Sequence, residues 1–285
     1  MIYFLTVNYF SKALIQNLIT SITRTTNSPY SILIVNNSPQ ESAIHDLQND
    51  RVTVIESGDN LGFGRACNLG IEYIWRHDKN SLIWLINPDA LLDPEADSYI
   101  YKCFEENPDI AILGTQIRLP NGDLWFSAGG FNRWTGFLKH TSITKNSQLD
   151  GKITCCQWVT GCSLIINLKQ FQHYPTFDPH YFLYSEDADL CVRYAKQGYK
   201  IAVTNQVLVT HNASAIIGRD RAFMYQHYTF SRLYFLKQHA TLVGLLIYIT
   251  YILIKLVILL LIDSQNSLGR WQGIIGFLET IKYER

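Results

Sequence analysis

Three acidic side chains at the start of a helical pattern are the residues best suited to acid–base chemistry. Glu186, Asp187 and Asp189 follow an aromatic run at 181–184 and precede apolar residues at helical spacing. Adjacent carboxylates behind aromatic side chains are partly desolvated and repel each other, so one of them can be tuned as a general base. Acids in a first helical turn also complement the helix dipole, so a structural role stays open.

The helix that carries these acids has recognisable ends and a recognisable buried face. Ser185 is the predicted N-cap, because its hydroxyl can accept from a free backbone N–H, and Gly198 marks the end. Arg193 lies four residues after Asp189, which favours a local ion pair over a chemical role for both. The predicted buried stripe consists of Ala188, Cys191, Val192 and Ala195.

Asp89 and His211 are candidate metal ligands that are far apart in the sequence. Asp89 closes the sequence Asn87-Pro88-Asp89 directly after an apolar run. One or two carboxylates are what Mg²⁺ or Mn²⁺ uses beside phosphate oxygens, and the imidazole of His211 suits Mn²⁺ better. Each also has an ordinary interpretation, since Asn-Pro-Asp is a common turn and a histidine after a strand is usually not a ligand.

Residues 58–70 are rich in glycine and lead into a helical pattern. Backbone N–H groups at such a helix start can bind phosphate oxygens. Cys67 stands at the third glycine position of a dinucleotide fingerprint, and the segment has no Gly-Lys-Ser/Thr, so neither a dinucleotide motif nor a P-loop is supported. A tight strand-to-helix turn is the structural alternative.

Strand and helix signals alternate over the first 110 residues, which predicts a parallel α/β sheet. The apolar runs are residues 2–7, 31–35, 52–55 and 82–86. Ligands of such sheets bind beyond the carboxyl ends of the strands. Polar residues cluster at the predicted ends, at Asn8-Tyr9, Asn36-Asn37, 60–68 and Asn87 to Asp89.

The second half has further strand signals and one irregular stretch. Asn121-Gly122 predicts a hairpin turn, and Phe131 to Asp150 predicts a mobile loop over the site. Residues 219–239 predict a basic amphipathic helix. The predicted strands are 111–115, 153–159, 163–166, 199–204 and 207–210.

Residues 242–262 are apolar apart from Thr250 and Lys255 and are long enough to span a bilayer. A lysine in mid-helix is costly in lipid, so a buried packing or dimerisation helix is the alternative. The residues that follow carry an apolar stripe beside Lys282 and Arg285, which suits a helix at a membrane interface.

The composition excludes several classes of protein. The chain has 285 residues, and 24 Lys and Arg balance 24 Asp and Glu, so no net field favours nucleic acid. Six cysteines without a Cys-x-x-Cys pair support neither a zinc nor a redox motif and fit a reducing cytoplasm. The N-terminus lacks a basic region, so no signal peptide is predicted.

Taken in order, these motifs resemble family 2 glycosyltransferases, and within them the rhamnosyltransferase-like branch that builds bacterial surface polysaccharides. The most specific likenesses are Asn60-Leu-Gly-Phe and residues 182–193. The resemblance implies a GT-A fold over residues 1–240, an α/β, Rossmann-like, mostly parallel sheet flanked by helices. Residues 1–115 would bind the nucleotide sugar and 116–240 the acceptor. Residues 241–285 form a C-terminal helical appendage that is membrane-associating or dimerising.

The resemblance also assigns roles position by position. Asp187 matches the catalytic base, with Glu186 as the fallback, and Asp89 with His211 matches the ligands of Mg²⁺ or Mn²⁺. Asn36 stands where the family usually has a pyrimidine-binding Asp, which leaves the base preference open. The expected donor-binding residues are Val7, Asn8, Tyr9, Asn36, Asn60, Gly62, Asn68, Asn87, Asp89 and Gly161.

The implied function is an inverting transfer of a sugar, rhamnose being the first prediction, from a dTDP- or UDP-sugar. The acceptor would be a lipid-linked oligosaccharide or a polysaccharide, and the enzyme would be peripheral at the inner face of the cell membrane, with a homodimer left open. One alternative is a nucleotidyltransferase, although its glycine-rich basic N-terminal loop is missing. Another is a non-catalytic sugar-nucleotide-binding membrane protein, which Asn36 motivates.

Overall fold

The computed structural model describes residues 1–141, 152–212 and 220–283, and a mixed ten-stranded sheet flanked by helices forms its core. The first half alternates strands and helices, as the periodicity predicts. Its elements are β1 Ile2–Asn8, α1 Lys12–Thr25, β2 Tyr30–Asn36, a 3₁₀ turn Ser42–Leu47, β3 Val52–Glu56, α2 Phe63–His77, β4 Leu82–Ile86, β5 Ala90–Leu92 and α3 Ala96–Glu106.

The second half adds strands to the other side of the sheet and then three consecutive helices. Its elements are β6 Ile110–Arg118, β7 Leu124–Phe126, β8 Ala128–Asn132, β9 Phe137–Thr141, β10 Ile153–Cys155, β11 Ser163–Asn167, a 3₁₀ turn Leu168–Gln170, α4 Glu186–Lys196, β12 Lys200–His211, α5 Arg221–His239, α6 Leu242–Ile262 and α7 Ser264–Tyr283.

Four parallel strands end at one edge of the sheet. The order is β10-β12-β6-β11-β4-β1-β2-β3, and β4, β1, β2 and β3 run parallel to one another. Asn8 pairs with Asn36, and Asn36 with Glu56, so the polar residues after these strands meet at the same edge. The core strands are apolar on both faces because helices cover the sheet.

The strand β12 connects the second half to the first. It runs parallel to β6 and antiparallel to β5, and this pairing sets His211 opposite Ala90, the residue after Asp89. Two candidate ligands that are 122 residues apart are therefore brought together by one short antiparallel ladder.

Helix α7 packs along α5 through glycine. A Cβ at Gly269 would lie 2.1 Å from the Ala222 carbonyl oxygen, and one at Gly273 would lie 2.4 Å from the Gln226 carbonyl oxygen. Neither contact could be tolerated, so these two glycines permit a backbone approach that no other residue would allow. The approach sets the neighbouring residues of α7 against α5.

The buried residues of helix α6 form one narrow stripe, Gly244, Tyr248, Ile252 and Leu256. By length and composition it is the one helix in the described residues that could cross a membrane. Only 17% of the most apolar 18-residue stretch of α6 is buried. Within a single chain, α6 is therefore not a buried packing helix.

Several local expectations are wrong. Ser185 is the N-cap residue of α4 as predicted, but its backbone is left-handed (φ 63°) and its side chain makes no capping hydrogen bond within the described residues. Ala195 is exposed, whereas Leu190 and Tyr194 complete the buried face of α4. The expected loop from Phe131 is instead the hairpin β8–β9 as far as residue 141, and residues 142–150 lie outside the described ranges. The predicted strand 153–159 ends at residue 155, and the two predicted strands 199–204 and 207–210 are one, β12.

Candidate functional site

A cavity of about 730 Å³ lies at the carboxyl edge of the parallel strands, closed by the loop before α4 and by α5 and α7. Ten residues expected at the site from the sequence line this cavity. They are Val7, Tyr9, Asn60, Gly62, Asn87, Asp89, Gly161, Glu186, Asp187 and His211. The other three expected residues, Asn8, Asn36 and Asn68, do not line it.

Asp89 and His211 form a buried pair at one wall of the cavity. His211 Nε2 lies 3.1 Å from Asp89 Oδ1, and the His211 ring packs edge-on against Trp125. Nδ1 of His211 is buried without a hydrogen-bond partner in the described part of the chain. The pair combines a hard carboxylate oxygen with an imidazole nitrogen, and both residues line the cavity.

The donor set fits a divalent cation whose coordination is completed from the cavity. Two ligands at roughly 2.1 Å and a right angle are about 3 Å apart, close to the separation seen here. No cluster of three or more His, Cys, Asp or Glu side chains occurs within residues 1–141, 152–212 and 220–283. Oxygens of a bound ligand and of water would therefore complete the coordination.

The Asp187 carboxylate is held by backbone donors. Gly161 N–H donates to Oδ2 at 2.9 Å, and Ala188 N–H donates to Oδ1 at 2.7 Å. Burial raises its pKa, and these hydrogen bonds oppose that shift, as does the positive charge of Arg232. The result is an oriented carboxylate of raised basicity that faces the cavity.

Glu186 has less hydrogen-bond support than its neighbour, and that support comes from its own backbone N–H. Its Oε2 is buried without a hydrogen-bond partner among the described residues. Burial, followed by repulsion from Asp187, raises the pKa of Glu186 to about 8. Glu186 is therefore mainly protonated at neutral pH, whereas the backbone donors and Arg232 favour the ionised form of Asp187.

We expect Glu186→Gln to stabilise the protein at pH 8 by about 1–3 kcal/mol, since a buried unpaired charge is removed. Between about pH 4.5 and pH 8 the folded protein keeps a proton on Glu186 that the unfolded chain loses, so stability falls as pH rises through this window. The variant should lose that part of the pH dependence. Thermal unfolding at pH 5.5 to 8.5 measures it, with the exposed Glu105→Gln as control; identical slopes for wild type and Glu186→Gln would contradict the assignment.

Asn8 and Asn36 belong to a buried polar network behind the cavity. Asn8 Nδ2 donates to Asn36 Oδ1 at 3.0 Å and to Glu41 Oε2 at 2.8 Å. Asn36 Nδ2 donates to both Glu56 carboxylate oxygens at 2.9 and 3.0 Å. Both asparagines are fully buried, so in this arrangement they position the edge of the sheet and do not face a ligand.

Asn68 and Gly62 hold the loop that precedes α4. Asn68 exchanges two hydrogen bonds with the backbone of Phe177, at 2.7 and 2.9 Å. A Cβ at Gly62 would lie 2.2 Å from the Phe182 carbonyl oxygen, and Gly62 has a positive φ of 79°. The glycine-rich segment thus anchors the aromatic loop that delivers Glu186 and Asp187.

Tyr184 and Ser185 carry the chain into α4 with left-handed backbones, at φ values of 70° and 63°. Non-glycine residues adopt this conformation at a cost of about 1 kcal/mol or more, and such positions cluster at functional sites. Ser231 on α5 donates to the Leu183 carbonyl at 2.8 Å and helps to hold the turn. The strained turn directs the two following carboxylates into the cavity.

Asp189 points away from the cavity and is fully paired. It accepts from Arg193 Nε and from His239 Nε2, both at 2.7 Å, and more weakly from Tyr181. Lys196 Nζ lies 2.8 Å from the other nitrogen of His239. The expected Asp189–Arg193 ion pair is present, and Asp189 also fastens the end of α5 to α4.

Residues from α5 and α7 form a wall of the cavity that was not predicted from the sequence. They are Tyr225, Tyr228, Arg232 and Arg270. Arg270 stacks over Tyr225 and Tyr228, with its guanidinium carbon 4.8 and 5.6 Å from the ring centroids. The Gly-x-x-x-Gly spacing of Gly269 and Gly273 is the signal that could have indicated close packing of α7 on a neighbouring helix.

A family model for glycosyl transferase family 2 matches residues 3–193, more than half of the chain. The chain belongs to this family. The matched region contains the parallel strands, Asp89 and all of the acids of α4 up to Arg193, whereas His211 and the helices α5 to α7 lie beyond it.

Known relatives place this glycosyltransferase in the rhamnosyltransferase-like part of the family. It is 26% identical over 245 residues to an N-acetylglucosaminyl-diphospho-decaprenol L-rhamnosyltransferase of Mycobacterium tuberculosis, which covers 76% of this chain and 77% of the relative. It is 25% identical to the rhamnosyltransferase WbbL of Escherichia coli, over 51% of this chain and 58% of that protein.

The fold of the chain is also similar to that of a glycosyltransferase of known structure. A mannosyltransferase of Pyrobaculum calidifontis, solved in complex with GDP-Man and Mn²⁺, has a TM-score of 0.58 at 12% identity and covers 97% of this chain and 86% of that chain. At this identity the likeness shows the fold alone, and it confirms the predicted GT-A architecture. Family membership supports glycosyl transfer over nucleotidyl transfer.

Proposed function

We propose that this glycosyltransferase moves rhamnose from a dTDP- or UDP-linked donor to a lipid-linked acceptor, with inversion. One observation carries the proposal: the oriented Asp187 carboxylate faces the same cavity as the Asp89–His211 pair. The names of the two relatives, both rhamnosyltransferases, support the sugar, and the name of the mycobacterial one supports a diphospholipid acceptor.

In the proposed reaction Asp187 is the general base. An acceptor hydroxyl attacks the anomeric carbon, its proton passes to Asp187, and the bond from that carbon to the nucleoside diphosphate breaks with its electron pair. A single displacement of this kind inverts the configuration. Glu186, held in its protonated form by burial, does not compete as a nucleophile or base at neutral pH.

Asp89 and His211 are the residues that would hold Mg²⁺ or Mn²⁺. When bound, such a cation neutralises charge on the leaving diphosphate. The protein's own contribution is to keep Asp89 and His211 together through the β5–β12 ladder and to pack Trp125 against the His211 ring. Val7, Tyr9, Asn60 and Asn87 would contact the donor from the edge of the sheet.

Helix α6 supports a peripheral association with the cytoplasmic face of the membrane. It exposes many large apolar side chains along its length, whereas soluble proteins usually leave only small apolar patches uncovered. The residues with the largest exposed fractions are Leu242, Val257, Leu260, Leu261 and Ile262. The alternative predicted from the sequence is a homodimer in which a second copy of the chain covers this surface.

The donor can be identified by ligand-induced stabilisation of the full chain. At a donor concentration roughly 100-fold above Kd, we expect the correct nucleotide sugar with Mn²⁺ to raise Tm by about 5–10 °C. Asp89→Asn should lose the Mn²⁺-dependent part of this shift, whereas Asp123→Asn, in an exposed turn, should keep it. Stabilisation by nucleoside triphosphates alone, and by no nucleotide sugar, would contradict the proposed function.

A further inference from the structure

Three cationic side chains from three different helices converge on a small cleft beside the main cavity. Arg232 comes from α5, Lys255 from α6 and Arg270 from α7, and the cleft between them has a volume of about 90 Å³. Arg232 and Arg270 line both the cleft and the main cavity, so the two spaces share a wall. The cleft is therefore an annex of the site that contains Asp187.

None of these cations has a carboxylate partner within the described residues. Arg270 is only 5% exposed, and its Nε donates to Asn266 Oδ1 at 2.7 Å. Lys255 Nζ donates to the Tyr251 hydroxyl at 3.2 Å, and Arg232 Nε is buried without a partner in the part of the chain described. Shielded cations that lack anions are costly, so the arrangement suits an anionic ligand with several oxygens.

The cleft is separate from the residues suited to the donor diphosphate. Asp89 and His211 line the main cavity but not the cleft. Arg232 connects the two, because its positive charge is close enough to oppose the rise in the Asp187 pKa that burial causes. An anion in the cleft would thus lie beside a cation that also acts on the proposed base, and not between Asp89 and His211.

The third wall of the cleft belongs to the apolar helix. Lys255 and Tyr251 project from α6 into the cleft, whereas neighbouring residues of α6 such as Ile254 and Val257 are 59% and 66% exposed. A ligand with its charged group in the cleft would therefore have apolar surface directly beside it. That combination matches an amphiphile whose headgroup carries phosphates.

We propose that Arg232, Lys255 and Arg270 bind the diphosphate of a prenyl-diphosphate-linked acceptor, with the lipid leaving along α6 and the sugar reaching Asp187. This assignment rests on the proposed glycosyl transfer to a lipid-linked acceptor. It gives the C-terminal helices a direct part in acceptor recognition.

Binding of farnesyl diphosphate to the full chain tests the assignment without relying on turnover. Wild type should bind this probe in titration calorimetry, and Arg270→Gln and Lys255→Gln should each weaken binding by about tenfold or more, because a charge-assisted contact is lost. Lys282→Gln, which removes an exposed cation of the same α7, should bind like wild type. Binding of dTDP or UDP with Mn²⁺ should be unchanged in all three variants.

Three outcomes would overturn the assignment. Equal binding of farnesyl diphosphate by wild type and Lys255→Gln would show that the cleft does not bind the acceptor diphosphate. Weaker nucleotide binding with unchanged farnesyl diphosphate binding would assign the cations to the donor. Equal affinity for farnesol and farnesyl diphosphate would show that the diphosphate is not recognised. Failure of glycosyl transfer in wild type would contradict the proposed function. The binding results would still show whether the cleft recognises the diphosphate.

Discussion

Asp187→Asn is expected to slow sugar transfer by about 10²–10⁴-fold, the usual contribution of a positioned general base, while donor binding stays nearly unchanged. The amide cannot take the proton of the attacking hydroxyl, yet it nearly preserves the size of the side chain. Single-turnover transfer to a short-chain lipid-linked acceptor measures the rate, and ligand-induced stabilisation measures donor binding.

Glu186→Gln is the matched control for this experiment, since it neutralises the adjacent carboxyl that burial already keeps protonated. It should retain most of the activity. Because burial raises the pKa of Asp187, the wild-type rate should rise with pH as this carboxyl ionises. A wild-type-like rate for Asp187→Asn, or a larger loss for Glu186→Gln, would move the role of base away from Asp187.

Asp189→Asn is expected to destabilise the fold by about 3–5 kcal/mol, the usual cost of breaking a buried ion pair. For a chain of this size that corresponds to a decrease in Tm on the order of 10 °C. The substitution leaves Arg193 and His239 without the carboxylate that both contact at 2.7 Å. Chemical denaturation followed by circular dichroism gives the free energy of unfolding.

Asp187→Asn again provides the comparison, because it lies only two residues away on the same helix. We expect it to change the free energy of unfolding far less, since Asp187 accepts from backbone N–H groups and has no buried cationic partner at hydrogen-bond distance in the described residues. Equal destabilisation by the two substitutions would show that Asp189 is no more important to the fold than its neighbour.

The parallel half of the sheet could be predicted from the sequence because its signal is local. Runs such as Ile2–Asn8 and Leu82–Ile86 are apolar and short, and a polar residue follows each at the sheet edge. Asp89 and His211 could be named from residue type and family likeness, but their contact depends on the β5–β12 register, which no local pattern encodes.

Two features of the site could not be read from the chain. The burial of Asn8 and Asn36 depends on which way each side chain turns at the end of its strand. Asn8 turns toward Glu41 and Asn36 turns toward Glu56, so neither faces the cavity. The wall formed by Arg232 and Arg270 depends on how closely α7 approaches α5, a long-range contact between helices.

The hydrogen bonds of Asn36 also constrain which residues position 36 can accommodate. An aspartate at position 36 could not donate the two hydrogen bonds that Asn36 Nδ2 makes to the Glu56 carboxylate. It would also place a second negative charge about 3 Å from that carboxylate. Substitutions at 36 and 56 are therefore expected to be epistatic: an aspartate at position 36 should cost less stability once Glu56 has been replaced by a neutral residue.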